Sequence, residues 1–133
     1  MKKILVAYDG GDASHRALDL AAELAQRFEA TVGVVSVIPV HADRVPVDPW
    51  DDRTIHTNEL VEALRLLREK GIEPLLHEPA GDPAATIERL AEDGGYDMVV
   101  VGSRGLGLLS RALQGSVSEH VATHSRTTVV IAR

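Results

Sequence analysis

From residue 102 to residue 118 the chain reads Gly-Ser-Arg-Gly-Leu-Gly-Leu-Leu-Ser-Arg-Ala-Leu-Gln-Gly-Ser-Val-Ser, a stretch that gathers glycines, hydroxyls and arginine. Glycine leaves backbone N–H groups uncovered by any Cβ, so several can close on one anion. A helix N-terminus placed next to them adds unpaired donors and a favourable dipole. The anion that suits such a loop is a phosphate. Ser116 and Ser118 open a predicted helix over 116–124, where they can cap it or donate hydroxyls to phosphate oxygens, and Arg104 carries positive charge on a long side chain. The same glycines also serve in ordinary turns, and neither GxGxxG nor GxxxxGK[ST] is present.

Other groups with chemical potential are weaker. Asp9-Gly10-Gly11 leaves the first apolar run as a compact acidic turn, which serves equally as a helix-flanking cap. His120 and His124 have the i, i+4 spacing of a metal pair with Glu119 alongside, but no HExxH pattern supplies a third ligand. His41, Asp43, Asp48, Asp51 and Asp52 crowd one segment, most simply as a solvated acidic loop. Trp50 is a lone ring in that segment, placed to anchor it or to stack on a base. No GxSxG elbow is present and no cysteine, which removes thiolate metal sites and cysteine nucleophiles together. Dedicated hydrolase chemistry therefore has no residue to rest on.

These residues need a scaffold, and the apolar patterning specifies one. Runs at Ile4 to Tyr8, Thr31 to Ile38, Met98 to Val101 and Thr128 to Ala132, with a weaker one at Ile72 to Glu78, alternate with helical patterns in the manner of parallel βαβ units. The first helix, Ser14 to Phe28, puts Ala17, Leu18, Ala21, Ala22, Leu24, Ala25 and Phe28 on one face, with Asp12 or Ser14 as N-cap. A second spans about Thr57 to Lys70, with Leu60, Val61, Leu64 and Leu67 inward and Gly71 as its left-handed stop. Asp82 caps a third helix that begins at Pro83 and ends at Gly94-Gly95. Residues 41 to 54, with Pro46 and Pro49, read as a long polar loop.

Five parallel strands can be ordered 2-1-3-4-5 or 3-2-1-4-5, and ligands bind beyond the strands' carboxyl ends where the winding reverses. Glycines cluster after the fourth strand (Gly102, Gly105, Gly107, Gly115) and after the first (Gly10, Gly11), whereas the loop after the third holds a routine helix cap. The expected order is therefore 3-2-1-4-5, in a single α/β domain over residues 1–133, with helices on both faces of an open sheet.

Bulk properties agree. The core must come from Val, Leu, Ile and Ala, because aromatic residues make up only 3% of the chain while hydrophobic ones make up 44%. A formal charge of −6 disfavours a sequence-independent nucleic-acid binder, though one anionic ligand needs only local donors. The apolar run after Lys3 is too short for a signal h-region, and no run reaches the length of a membrane span, so a cytoplasmic protein is expected.

Gly102-x2-Gly105-x9-Gly115-Ser116 matches the ATP-binding pattern of the universal stress protein family, and the chain resembles that family along essentially its whole length. Val6-Ala7-Tyr8-Asp9-Gly10, Ser36-Val37-Ile38, Gly81-Asp82-Pro83 and the stretch from Tyr96 to Gly105 carry the likeness. The resemblance implies a Rossmann-like fold of the adenine nucleotide alpha hydrolase-like kind. It implies that Asp9 accepts hydrogen bonds from ribose hydroxyls, that Ala7, Tyr8 and Val37 line the adenine site, and that Val101, Gly102, Arg104 and Gly105 follow the ligand towards its phosphates. Gly115, Ser116, Val117 and Ser118 would hold the phosphate tail of ATP, with Mg2+ or Mn2+ bound through the phosphates. Gly11 and Ser118 depart from residues frequent in the family without removing a required donor.

Three functions fit: an ATP-binding stress-response regulator acting on a protein partner, a weak ATP-hydrolysing enzyme, or a nucleotide-free dimeric adaptor. The turn Asp9 to Ser14 also faintly resembles the SGGxDS loop of ATP pyrophosphatases, but it lacks the leading serine. The last strand, Thr127 to Ala132, has few charges and no proline, and would pair with its copy in a homodimer.

Overall fold

The computed structural model describes residues 1–39, 49–103 and 127–133. Its elements run β1 (Lys3–Ala7), α1 (Asp12–Phe28), β2 (Thr31–Val35), β3 (Ile38–Pro39), α2 (Pro49–Glu69), β4 (Leu75–His77), β5 (Ala80–Gly81), α3 (Pro83–Asp93), β6 (Met98–Gly102) and β7 (Thr128–Ala132). Five strands form one parallel sheet in the order β4-β2-β1-β6-β7. With the two-residue strands β3 and β5 set aside, this is the order 3-2-1-4-5 expected from the glycines.

Strand periodicity sorts the apolar residues between two layers. Ile4, Val6, Val32, Val34, Met98 and Val100 pack on one face against Ala17, Leu18, Ala21, Ala22 and Ala25 of α1 and Leu60, Ala63 and Leu67 of α2. Leu5, Val35, Val99 and Val101 pack on the other against Ile87, Leu90 and Ala91 of α3 and against Tyr96. Full burial of each large aliphatic side chain stabilises the fold by about 1.5–3 kcal/mol, and because these strands are covered on both faces they read as continuous β-branched runs.

Several boundaries differ from expectation. α2 starts at Pro49, so residues 49–54 are helical rather than looped, proline being well suited to a first helical position. Its inward stripe is His56, Leu60, Ala63 and Leu67, and Val61, one step further round the helix, is 57% exposed. Phe28, the last residue of α1, is also outside, where Glu29 turns left-handed (φ 53°) and redirects the chain into β2. The N-cap of α1 is Gly11, with no side-chain cap bond; Asp12 lies inside the helix and Ser14 Oγ donates to the Gly11 carbonyl at 2.9 Å. Two other boundaries match expectation, while β2 stops at Val35 and β4 covers only Leu75–His77, and the helix expected over 116–124 lies outside the described residues. Asp82 accepts from the Ala85 N–H at 3.1 Å ahead of Pro83, and Gly71 (φ 79°) ends α2 with Ile72 N–H returning to Leu67.

The β3–β5 pair was not foreseen, since two residues are too few to show a period. It forms because the chain leaving β2 stays beside the chain leaving β4, with Ser36 N–H on His77 O and Ile38 N–H on Pro79 O.

Tyr96 ties the second layer together. Its hydroxyl lies 2.6 Å from His77 Nε2, and Lys3 Nζ sits 4.5 Å over its ring while donating to the Gly94 carbonyl. Burial first, and then the Lys3 charge, holds the His77 imidazole below its ordinary value of 6.5. The unfolded chain therefore binds that proton more readily, so the stability this group contributes is present above pH 6.5 and is lost as pH falls from there towards the folded value. Chemical denaturation between pH 7.5 and 5 should show stability declining with acid, and H77Q should remove part of that slope.

Candidate functional site

The chain winds outward from β1 through β2 to β4, then crosses back to β6 and β7, so the winding reverses between β1 and β6. In open parallel sheets the loops leaving the strands' carboxyl ends part at such a switch point, and the crevice between them is where ligands bind. On the β1 side, Asp9 Oδ1 accepts from the Gly11 N–H at 2.8 Å, and the Asp9 N–H reaches Ser14 Oγ at 3.3 Å. The turn is closed by its own side chains, with Gly10 at φ 81°, and the Asp9 residue is exposed at the rim.

On the β6 side, Gly102 meets the first turn of α1. A Cβ there would stand 2.5 Å from the carbonyl carbon and oxygen of Ala13. This glycine thus has a packing reason of its own, the close approach of two backbones. Ala7 and Val101, at the ends of β1 and β6, and Val37, between β2 and β3, join the α3-side cluster as an apolar floor.

Tyr8 is placed differently from its neighbours. Its ring is buried on the opposite face, with the hydroxyl 3.0 Å from His15 Nε2 and the two rings edge to face. Burial, then the hydrogen bond and charge of Glu62, then the charges of Glu59 and Asp9 push the phenol well above its ordinary value, so it remains a donor. Only the main chain of Tyr8 is left for a ligand on the crevice side. Arg104, Gly105, Gly115, Ser116, Val117 and Ser118 lie outside the described residues, as do His41, Asp43, Asp48, His120 and His124. Among the described residues no three His, Asp or Glu side chains converge as a metal site.

Sequence patterning missed one cluster. Ser36, buried at the exit of β2, has its Oγ 2.8 Å from His56 Nδ1 and donates to Glu59 Oε2 at 2.8 Å, while His56 Nδ1 lies 3.1 Å from the same oxygen. Its signal was available, because His56 sits in register with Leu60, Ala63 and Leu67 on the inward stripe. The geometry does not make a nucleophile relay, which needs serine and carboxylate on opposite ring nitrogens of histidine. A separate surface groove lined by Val61, Leu64, Arg65, Arg68 and Glu69 shares no residue with the crevice.

The sequence matches the universal stress protein family model over residues 1–133. The chain belongs to the universal stress protein family. It is similar to universal stress protein YxiE of Bacillus subtilis, 32% identical over 150 aligned positions that cover 98% of each chain. Among solved structures, a universal stress protein family member from Burkholderia pseudomallei superposes with a TM-score of 0.74 at 27% identity, covering 98% of this chain and 94% of that one. A universal stress protein in complex with cAMP superposes at 0.66 and 25% identity, covering 99% and 97%. In this universal stress protein, Ala7, Asp9, Val101 and Gly102 stand at the switch point between β1 and β6, and Val37 lies just past the neighbouring strand β2. No helix among the described residues is long and apolar enough to cross a membrane.

Proposed function

We propose that this universal stress protein is a cytoplasmic regulator that binds an adenine nucleotide at the crevice between β1 and β6. The observation that carries the proposal is the meeting of an exposed carboxylate, Asp9, with an apolar floor of Ala7, Val37 and Val101 at the point where the glycine-serine stretch begins. A ribose offers hydroxyl donors to the carboxylate, and an adenine ring offers an apolar face to the floor. The bound cAMP of the similar solved protein supports the same ligand class.

The ligand is ATP, with Gly102, Arg104, Gly105, Gly115, Ser116, Val117 and Ser118 along its phosphates and Mg2+ or Mn2+ held through them. When bound, the metal would supply charge neutralisation at the phosphate oxygens. Ser116 and Ser118 would donate hydroxyls, and the amides from 102 to 118 would orient the tail. Nucleotide occupancy would set which protein partner is engaged. Homodimerisation through β7 fits its position at the sheet edge, where Val129 and Ile131 are exposed.

Calorimetric titration with ATP and Mg2+ should show saturable binding. G115V should weaken it at least about tenfold by putting a branched side chain where an amide must approach phosphate. Equal affinity in the two proteins would remove the loop from the site.

A further inference from the structure

Resting on the nucleotide proposal, we infer that Glu59, acting with Ser36 and His56, is a positioning residue that sets the spacing of the crevice's two rims. Ser36 links β2 to Val37, and the residue is only 2% exposed. The two 2.8 Å contacts to α2 turn its side chain towards the α1–α2 layer. Because successive residues of an extended chain face opposite ways, that pin sends Val37 to the other layer, where it joins Ala7 and Val101. Backbone bonds from Ser36 N–H to His77 O and from Ile38 N–H to Pro79 O hold the segment on either side of Val37.

The second rim meets the same side chain. A Cβ at Gly10 would lie 3.8 Å from Glu59 Cγ, an ordinary packing distance, so the left-handed residue beside Asp9 rests close to the Glu59 stem. Glu59 therefore hydrogen-bonds the exit of β2 and stands beside the exit of β1, within reach of any side chain at Gly10. Its side chain is 16% exposed and that of His56 is 17% exposed, so loss of the carboxylate takes away the acceptor that Ser36 and His56 share and leaves only their 2.8 Å contact with each other. One turn along α2, Glu62 lies 3.6 Å from His15, which bonds Tyr8, so the helix also grips the layer beneath β1. The pocket for a nucleoside then owes its width to α2, a helix whose side chains form no part of the expected ligand contacts.

Hydrogen exchange on the nucleotide-free protein and titration with ATP and Mg2+ test this together. In E59A, exchange at residues 9–11 and 36–38 should accelerate about tenfold while α3 and β6 keep their protection, and Kd for ATP should rise about tenfold. E59Q keeps the length and a hydrogen-bonding terminus and should restore both within about threefold, and S36A should reproduce the change at 36–38. Unchanged exchange at these residues in E59A, or a uniform rise across the whole chain, overturns the positioning role. Absence of ATP binding by the unaltered protein overturns the nucleotide proposal, and the exchange pattern decides the role of Glu59 in either case.

Discussion

G102V is expected to lower stability by about 3 kcal/mol and the melting temperature by roughly 12 °C, and to abolish nucleotide binding. The added Cβ would lie 2.5 Å from the carbonyl carbon and oxygen of Ala13 and 2.8 Å from its Cβ. Those atoms belong to the first turn of a helix, so no rotamer change relieves the contact. Either α1 moves away from β6 or the end of β6 bends. Ala13 is buried, and the residues that follow it on α1 fill the main core, so displacement of the helix would be felt at Ala17 and Leu18. G102A should show most of the loss, because the clash begins at Cβ. Urea denaturation followed by circular dichroism gives the stability, and calorimetry the binding. A cost below about 1 kcal/mol in both variants would mean that the two backbones do not meet in solution.

G33A should cost about 3 kcal/mol as well, through a side chain distant in sequence. At this position in β2 a Cβ would stand 2.0 Å from the Tyr96 hydroxyl, 2.6 Å from Cζ and 2.8 Å from Cε1. The ring cannot swing clear cheaply. It is 5% exposed, its hydroxyl is bonded to His77, and a second glycine, Gly94, already lies against its other edge. The effect should therefore depend on the partner. In a chain carrying Y96A, whose own cost is expected at about 3 kcal/mol, adding G33A should cost under about 1 kcal/mol. A double-mutant cycle measures this coupling, and strict additivity would show that Tyr96 does not cross β2 at Gly33.

The architecture was legible in the primary structure because the central strands β1, β2 and β6 are covered on both sides, so each appears as an unbroken apolar run between helical patterns. Glycine placement after Tyr8 and after Val101 was enough to choose the strand order that the sheet adopts. The start of α3 was equally clear, since Asp82-Pro83 combines a cap with a residue that tolerates only the first helical turn. Less was legible where two roles share one residue type. Gly102 was read from its chemistry as part of a phosphate loop, and its contact with Ala13 needed coordinates. The family resemblance put Tyr8 at the adenine site, and its ring points into the α1–α2 layer, because strand alternation puts it with Ile4 and Val6. Pro49 looked like part of a loop, although it opens α2.

Taken alone, the order of residues determined the fold class and the strand order, because periodicity, capping and glycine spacing are local properties of the chain. Tertiary structure decided which side chains meet: Gly33 with Tyr96, Gly102 with Ala13, and Ser36 with His56 and Glu59. Such pairs join residues far apart along the chain, and their partners are set by how helices cross the sheet, a geometry that no local pattern encodes.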